Sequence, residues 1–317
     1  MAASPDSPDS PASPRSPALA GGSAAASASS EFRAAYGQAM ALWPVAVERL
    51  DLETEFGSTR VNACGPSGGP PLVLLSGGGT TSAVWYARVA SLARTHRVYA
   101  VDLMGGPGLS VPGGRPLRRP ADLMAWLDGV VDALGAERVS LLGHSYGGWI
   151  ALSYAVHAAM GIPPCSSRAR GRVERLALLD PTQCFAGFRA SYLVRAVPLL
   201  VRPGEVTAGR FLAWETRGGP AVAPELVRLT GVGGREFRGR PVTGPRPDVA
   251  RLGTAAPPAL VLLAGRSRAH DVRRVAAAAG RSLPGARVVT VPGVGHHALP
   301  ELRSAELDGW VAGFLTG

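Results

Sequence analysis

The sequence predicts an α/β fold in which a mostly parallel central sheet carries helices on both faces. Apolar runs of strand length alternate with helix-like segments from residue 71 to residue 181, and this alternation is typical of βαβ units. It stops over residues 182–253, where Pro and Gly interrupt helix-like segments, and it resumes from residue 254. We therefore expect one core, residues 33–181 and 254–317, interrupted by a helical insertion at about 182–253 that we interpret as a lid.

The individual elements follow from local patterns. The runs "ERLDLETEF" and "STRVNACG" favour a β-hairpin, and "PLVLLSGGG" is typical of a strand buried on both faces. Next we expect the helix "VWYARVASLAR", the strand "HRVYAVDLMG" and the amphipathic helix "ADLMAWLDGVVDALG", which Gly135 caps. The strand "RVSLLGHS", the helix "GGWIALSYAVHAA" and the strand "RVERLALLDP" precede the insertion. The strand "PALVLLAGRS", a helix near 271–281, the strand "ARVVTVPG" and the helix "AELDGWVAGFL" follow it.

The first residues have a different composition from the rest. Residues 1–32 are rich in Ser, Pro, Ala and Gly. Such a segment buries too little apolar surface to offset the entropy that ordering costs, so we expect a disordered tail. The globular part, residues 33–317, would then form a single domain.

The charge of the chain does not indicate a nucleic-acid partner. The formal net charge is +10, and all 33 basic residues are arginine. This preference for arginine, with abundant Ala, Gly and Pro, is typical of GC-rich coding. The arginines are scattered, whereas nucleic-acid-binding tails carry blocks of about five or more like charges. We therefore expect no nucleic acid among the partners.

Cysteine content and hydropathy bear on location and cofactors. Cys64, Cys165 and Cys184 form no CxxC pair and have no histidine at metal-ligand spacing. Few cysteines in odd number are typical of reduced thiols in the cytosol. No uncharged apolar run reaches the roughly 18 residues of a membrane span. We expect a cytoplasmic protein with no metal, no membrane partner and a small-molecule substrate.

The stretch "VSLLGHSYGGW" carries the strongest sign of chemistry. Ser145 stands between Gly143 and Gly147, after a strand and before a helix. A nucleophile in G-x-S-x-G occupies a sharp, strained turn, and larger side chains at the two glycines would collide with the adjacent strand or helix. A tight turn without chemistry is the alternative. We interpret Ser145 as a catalytic nucleophile.

A serine hydroxyl needs a base, and the late stretch "VVTVPGVGHHALPEL" supplies candidates. His296 follows a predicted strand and the tripeptide "GVG", and His297 is its neighbour. We prefer His296, because it directly follows the loop glycine. The order of serine before histidine along the chain is also that of one large family.

From about residue 45 to the end, the chain resembles the α/β-hydrolase superfamily, of the esterase-like type that carries a lid. "LLGHSYGG" and "VPGVGHH" match the family closely, and "VDLMGGPGLSVP" resembles its Asp-x-x-Gly-x-Gly-x-Ser loop with a variation. "LLSGGGTTSAVW" resembles its His-Gly-x loop, with Ser76 where His is usual. The resemblance implies an oxyanion hole formed by the backbone amides of Gly78 and Tyr146.

The acid of the triad departs from the family's pattern. The resemblance places it after the next-to-last strand, in "LLAGRSRAHD", but the expected position holds Arg268. A guanidinium cannot stabilise an imidazolium. Asp271 lies in the same loop, and Asp180 ends the sixth strand of the core, where some members carry their acid. We prefer Asp271 for its proximity in the loop and keep Asp180 as the alternative.

These observations favour a serine hydrolase that acts on an ester or a similar acyl substrate by Ser-His-Asp acyl transfer, without cofactor or metal. Apolar and arginine residues in the insertion favour esters of modest size with an apolar acyl part. The fold also supports cofactor-free haloperoxidase and C–C hydrolase chemistry, which stay open. A non-catalytic ligand-binding member is a third reading, and Arg268 is the residue that keeps it open.

Overall fold

One sheet organises the part of the chain that the structure, a computed structural model, describes: residues 28–161, 170–239 and 241–317. Within those ranges nine strands run in the order β1-β2-β4-β3-β6-β7-β8-β9, with β5 paired to β2. Their bounds are β1 Glu48–Thr54, β2 Gly57–Cys64, β3 Pro71–Leu75, β4 Arg97–Val101, β5 Val111–Pro112, β6 Val139–His144, β7 Val173–Leu179, β8 Ala259–Ala264 and β9 Arg287–Val291.

The sheet is mostly parallel, as expected. β1 and β2 form the predicted antiparallel hairpin and β2 is antiparallel to β4, whereas the pairs from β4 through β9 are parallel. Parallel strands bring their carboxyl ends to one edge of the sheet, where ligand sites of open α/β sheets form. The residues after Leu75, His144, Leu179 and Ala264 therefore lie on one side of the molecule.

Helices cover both faces of the sheet. Along β6, Leu141 packs into the apolar cluster that contains α3 and α4, whereas Leu142 packs into the cluster that contains α1 and α9. Burial on both faces explains the unbroken apolar strands in the sequence. The helices are α1 Ser30–Met40, α2 Val89–Leu92, α3 Pro120–Ala133, α4 Tyr146–Met160, α5 Ala190–Val201, α6 Glu205–Glu215, α7 Pro224–Glu236, α8 Val272–Ser282 and α9 Ala305–Thr316.

The first helix begins before the domain boundary that we expected. Helix α1 begins at Ser30, and Ser29 caps it by accepting a hydrogen bond from the Phe32 N–H at 3.1 Å. Phe32 is fully buried and its ring packs edge-on against Phe237, with ring centroids 4.8 Å apart. The boundary at residue 32 is therefore wrong by a few residues, because this aromatic side chain belongs to the core. The rest of the expected tail, residues 1–27, lies outside the described residues, as does Cys165.

The predicted helix "VWYARVASLAR" also differs. The structure has a 3-10 segment, Ser82–Ala87, followed by the single-turn helix α2. Val84 and Trp85 are both buried, so packing rather than helix propensity decides the local conformation. Gly135 has the expected left-handed conformation after α3, with φ of 68°.

Helices α5, α6 and α7 lie between β7 and β8, within the predicted insertion. Helix α5 differs from the other two because none of its residues is buried. The large apolar side chains that are exposed on the described part of the chain lie in α5 or at the start of α6: Leu193, Val194, Val197, Leu200, Val201 and Val206. No helix among the described residues is long and apolar enough to cross a membrane.

Candidate active site

Ser145 occupies a strained turn between β6 and α4. Its φ is 54° and its ψ is −116°, a backbone conformation that non-glycine residues rarely adopt. The glycines around it are required by space. A Cβ atom at Gly143 would lie 2.3 Å from the Gly147 carbonyl oxygen, and one at Gly147 would lie 2.1 Å from the Leu75 carbonyl oxygen. The turn holds the Ser145 hydroxyl in a half-buried position at the carboxyl edge of the sheet.

His296 lies beside this hydroxyl. Its Nε2 atom is 2.8 Å from the Ser145 Oγ, and its Nδ1 atom is 2.6 Å from the Asp180 Oδ2. The imidazole is fully buried, so it is shielded from bulk water. An imidazole between a hydroxyl and a carboxylate can accept the hydroxyl proton as an imidazolium forms beside the negative charge.

The carboxylate in this arrangement belongs to Asp180, directly after β7. Its Oδ1 accepts hydrogen bonds from the Ala264 N–H at 3.1 Å and from His270 Nε2 at 3.0 Å. Burial alone raises the pKa of Asp180, but the charges and hydrogen bonds of His270 and His296 outweigh burial and hold the pKa well below its usual range. Asp180 is therefore an ionised carboxylate held on both oxygens.

The preference for Asp271 is wrong. This residue caps the N-terminus of α8, where its Oδ1 accepts the Arg274 N–H at 3.0 Å. Its other oxygen lies 3.6 Å from Arg189, and about half of the side chain is exposed. Sheet order explains the correction: β7 is the immediate neighbour of β6, so a residue at its end lies close to Ser145.

Arg268 and His297 both contact aromatic side chains of the insertion. The guanidinium of Arg268 lies 5.2 Å from the ring centroid of Trp214, in the insertion. It therefore does not take the place of the carboxylate. The Nε2 of His297 lies 3.1 Å from the hydroxyl oxygen of Tyr192, in α5. Burial, with the nearby His296, keeps the pKa of His297 well below its usual range, so it is a neutral ring.

The loops that would bind an oxyanion lie next to each other. β3 and β6 are parallel neighbours with Leu75 opposite Gly143, so the loops after them meet. A Cβ atom at Gly78 would lie 3.6 Å from the Tyr146 Cβ. Tyr146 begins α4, so its N–H has no acceptor within the helix. Both predicted amides therefore lie beside Ser145, one in the loop after β3 and the other at the first residue of α4.

Sequence reasoning missed Glu215, at the end of α6. This carboxylate is almost fully buried, and it accepts the His296 N–H at 2.8 Å and the His297 N–H at 3.0 Å. It also lies 3.4 Å from the Arg268 N. A helix of the insertion thus binds the loop that carries His296. The only sequence signal was a lone acid after an apolar stretch, "RFLAWE".

Sequence reasoning also missed His270, the second imidazole on Asp180. It is buried, and its Nδ1 has no hydrogen-bond partner among the described residues. His144 supports the site from below, because its Nε2 lies 3.0 Å from the His296 carbonyl oxygen. Burial and the neighbouring His296 lower the pKa of His144 to about 3. Both rings act on the position of their partners rather than on the hydroxyl.

A narrow cleft lies between the sheet edge and the insertion, and His144 and His297 are among the residues that line it. Its water-accessible volume is about 20 Å³, which is room for roughly one water molecule. One wall comes from the loop after β3 and from the residues around His297, and the other comes from α6 and α7. The residues lining it are Gly79, Thr80, Thr81, Val84, His144, Leu212, Val222, Leu226, Leu229, Thr230, His297 and Glu301.

Comparison with known proteins agrees with this architecture. A model of the alpha/beta hydrolase family matches residues 72–308, which is most of the chain. The chain belongs to this family. The match includes the turn at Ser145 and the loop of His296, and it therefore covers the whole of the site.

Two relatives of this α/β hydrolase come from Bacillus subtilis (strain 168). The carboxylesterase YbfK is 34% identical over 205 residues, which cover 65% of this chain and 64% of YbfK. The uncharacterized carboxylesterase nap is 29% identical over 268 residues, which cover 82% of this chain and 84% of nap.

Two solved structures of carboxylesterases are also similar to this chain. The crystal structure of the carboxylesterase CesB (YbfK) from Bacillus subtilis has a TM-score of 0.78 at 28% identity, covering 90% of this chain and 96% of that one. The crystal structure of naproxen esterase (carboxylesterase NP) from the same organism has a TM-score of 0.77 at 26% identity, covering 91% and 99%. The similarity extends over almost the entire length of both.

Proposed function

We propose that this α/β hydrolase is a carboxylesterase in which Ser145, His296 and Asp180 form a catalytic triad. The observation that carries the proposal is the continuous hydrogen-bonded series from the Ser145 Oγ through His296 to Asp180, with contacts of 2.8 and 2.6 Å. The named activity of two relatives supports the choice of esters as substrates.

The first half of the reaction forms an acyl-enzyme. The Ser145 oxygen attacks the ester carbonyl carbon while its proton passes to the His296 Nε2. The carbonyl oxygen becomes an oxyanion, and the tetrahedral intermediate then collapses as the C–O bond to the alcohol breaks. His296 returns its proton to the departing alkoxide, so an alcohol leaves and the acyl group stays on Ser145.

Water completes the cycle. His296 takes a proton from a water molecule, the resulting oxygen nucleophile attacks the acyl carbon, and the Ser145 oxygen leaves with the proton that His296 returns. The products are a carboxylic acid and the free hydroxyl. Throughout, the ionised Asp180 stabilises the imidazolium and fixes which ring nitrogen faces Ser145.

The Gly78 and Tyr146 amides are the proposed oxyanion hole. The helix that starts at Tyr146 directs the positive end of its dipole at the same point. Removing one donor from such a hole costs about 3 kcal/mol of transition-state stabilisation in other acyl-transfer enzymes. The insertion, which we propose is a lid over the cleft, limits water access to this region.

Apolar side chains in the cleft favour esters with an apolar acyl part of modest size, because Val84, Leu212 and Leu226 line it. The contact between Asp180 and His296 also argues against a non-catalytic ligand-binding protein. The reason to consider one was Arg268 at the position expected for the acid, and Asp180 supplies a carboxylate from another strand. The cytoplasm remains the proposed location, on the small, odd number of cysteines.

The proposal is tested by labelling with a fluorophosphonate probe and by turnover of p-nitrophenyl esters. We expect the probe to modify Ser145, identified by mass spectrometry of the peptide, and we expect Ser145→Ala to lose both labelling and turnover. Labelling elsewhere, or ester turnover that survives in Ser145→Ala, would contradict it.

A further inference from the structure

Helix α5 presents an apolar face to solvent. The side chains on this face are large and aliphatic, and each residue is between 48% and 82% exposed: Leu193, Val194, Val197, Leu200 and Val201. Their spacing along the chain places them on one side of a helix, and we call this side the α5 face. Single exposed aliphatic residues are normal on a protein surface, whereas a concentration of them on one element is typical of an interaction site.

The opposite side of α5 already has its partners. The Tyr192 hydroxyl lies 3.1 Å from the His297 Nε2, and the Tyr192 ring stacks on Phe188 with ring centroids 5.5 Å apart. Leu199, seven residues further along the same side, is half-buried. Helix α5 is therefore apolar on both sides, which is typical of a helix that is covered on both. The residues that the structure describes cover only one of them.

The charge around the α5 face indicates an anionic partner. Between Pro181 and Gly204 the sequence has three arginines, Arg189, Arg195 and Arg202, and no acidic residue. All three are exposed, and Arg189 and Arg202 flank the helix at its two ends. A carboxylate 3.6 Å from Arg189, on α8, offsets one of these charges. The surroundings of the helix therefore keep a positive net charge.

This charge disfavours a second copy of the chain as the occupant. Each copy has a formal net charge of +10, and two α5 faces in contact would bring their arginines together. An acidic protein also fits less well. Protein interfaces carry about one hydrogen bond per 100–200 Å² and are anchored by Trp, Tyr or Arg, whereas the aliphatic side chains of the α5 face carry no hydrogen-bonding atom. Hydrocarbon needs none.

We propose that α5 binds the surface of a membrane that contains anionic lipids, with the α5 face against the acyl chains and the flanking arginines among the headgroups. The helix has 12 residues and is about 18 Å long, against a hydrocarbon core of about 30 Å, so it lies along the surface. The expectation of no membrane partner concerned spanning segments and does not bear on such a helix. The inference does not depend on the proposed esterase function, because its test measures binding.

Sedimentation with sucrose-loaded vesicles tests the proposal on the full chain. One set of vesicles contains equal parts of phosphatidylglycerol and phosphatidylcholine, and the other contains phosphatidylcholine alone. We expect the mixed vesicles to bind the protein about tenfold more tightly, and we expect added salt to reduce this difference. Equal binding to both sets overturns the proposal. Failure to bind the mixed vesicles also overturns it and leaves an acidic protein as the partner.

Two variants separate the aliphatic and the charged contributions. Leu200→Ser should lower binding to the mixed vesicles about tenfold, because this residue is 82% exposed and would be buried in lipid. Arg202→Gln should lower it severalfold and leave binding to phosphatidylcholine unchanged. Arg281→Gln is the control, because this exposed arginine lies in the last turn of α8, at the opposite edge of the sheet from the insertion. Wild-type binding in both test variants would overturn the proposal.

Analytical ultracentrifugation without lipid tests for a second copy. We expect the wild type and Leu200→Ser to sediment with the same mass. A wild-type dimer that Leu200→Ser converts to a monomer would show that a second chain covers the α5 face, and would overturn the proposal. The free energy of unfolding of Leu200→Ser should match the wild type, since the side chain is exposed. Should this variant not fold, Val194→Ser replaces it, at a residue of the same face that is 69% exposed.

Discussion

The Nδ1 of His296 lies 2.6 Å from the Oδ2 of Asp180, a carboxylate at the end of β7 and not in the loop after β8. Position in the sheet makes this contact possible, since β7 lies between the strand of the nucleophile and the strand that precedes the loop of Arg268. The two candidate acids can therefore be separated by one experiment.

We expect Asp180→Asn to lower kcat for p-nitrophenyl esters by roughly 10³–10⁴-fold, because an amide cannot stabilise the imidazolium and favours the wrong ring tautomer. Asp271→Asn is the matched control. Asn caps helices about as well as Asp, so its activity and stability should stay close to the wild type. Equal losses in the two variants would contradict the assignment.

Substitution of the two neighbouring histidines should have clearly different effects on turnover. His296→Gln should abolish turnover, because no other base lies within reach of the Ser145 hydroxyl among the described residues. His297→Gln should retain it within about tenfold, since this ring contacts Tyr192 and the amide can replace that hydrogen bond. Steady-state kinetics with one ester measures both, and activity in His296→Gln would exclude it as the base.

Glu215 should matter for catalysis without touching the substrate's reacting atoms. Glu215→Ala removes the acceptor for the His296 and His297 amides, and a small displacement of a catalytic group lowers the rate about 10²-fold. Glu205→Ala, at the exposed start of the same helix, is the control and should have wild-type kcat. Partial recovery of kcat in Glu215→Gln, which keeps one acceptor oxygen, would separate positioning from simple loss of folding.

The strain at Ser145 predicts a stability difference. Because φ is 54°, glycine fits this position better than alanine. The free energy of unfolding, measured with urea, should therefore be about 1 kcal/mol higher for Ser145→Gly than for Ser145→Ala. Ser153, inside α4, gives the opposite expectation: Ser153→Gly should be the less stable of its pair, since glycine weakens a helix interior. If the alanine variant is the more stable one at both positions, the turn is not strained.

Glu301 should make the stability of the protein depend on pH. Burial raises the pKa of Glu301 to about 7 in the folded state, above its usual value of 4.5, so the folded state holds the proton more tightly. The free energy of unfolding should therefore fall as pH rises from about 4.5 to 7, by at most about 3 kcal/mol, and then level off. Glu301→Gln should lack this decline. Urea unfolding of both proteins at pH 5 and pH 8 checks this, and Glu306→Gln is the control because Glu306 is an exposed carboxylate on α9.

The sequence was sufficient to predict features that depend on residues close together along the chain. Alternating strands and helices predicted the sheet, and two glycines around Ser145 predicted the turn, because each is a local pattern. It was insufficient for contacts between distant residues. Choosing Asp180 required the order of strands, and the bond between Glu215 and His296 joins residues 81 positions apart. Phe32 was misjudged for the same reason, since its partner is Phe237.

The fastening of Glu215 to the loop of His296 restricts how this enzyme could open. Helix α6 cannot move outward without displacing His296 from Ser145, because Glu215 binds the His296 amide. We therefore expect a bulky ester to enter the site by another route. Helix α5 is held less firmly, because none of its residues is fully buried, but its Tyr192 hydroxyl lies 3.1 Å from His297 Nε2. A displacement of α6 would therefore act on the backbone of His296, whereas a displacement of α5 would act on the ring of His297.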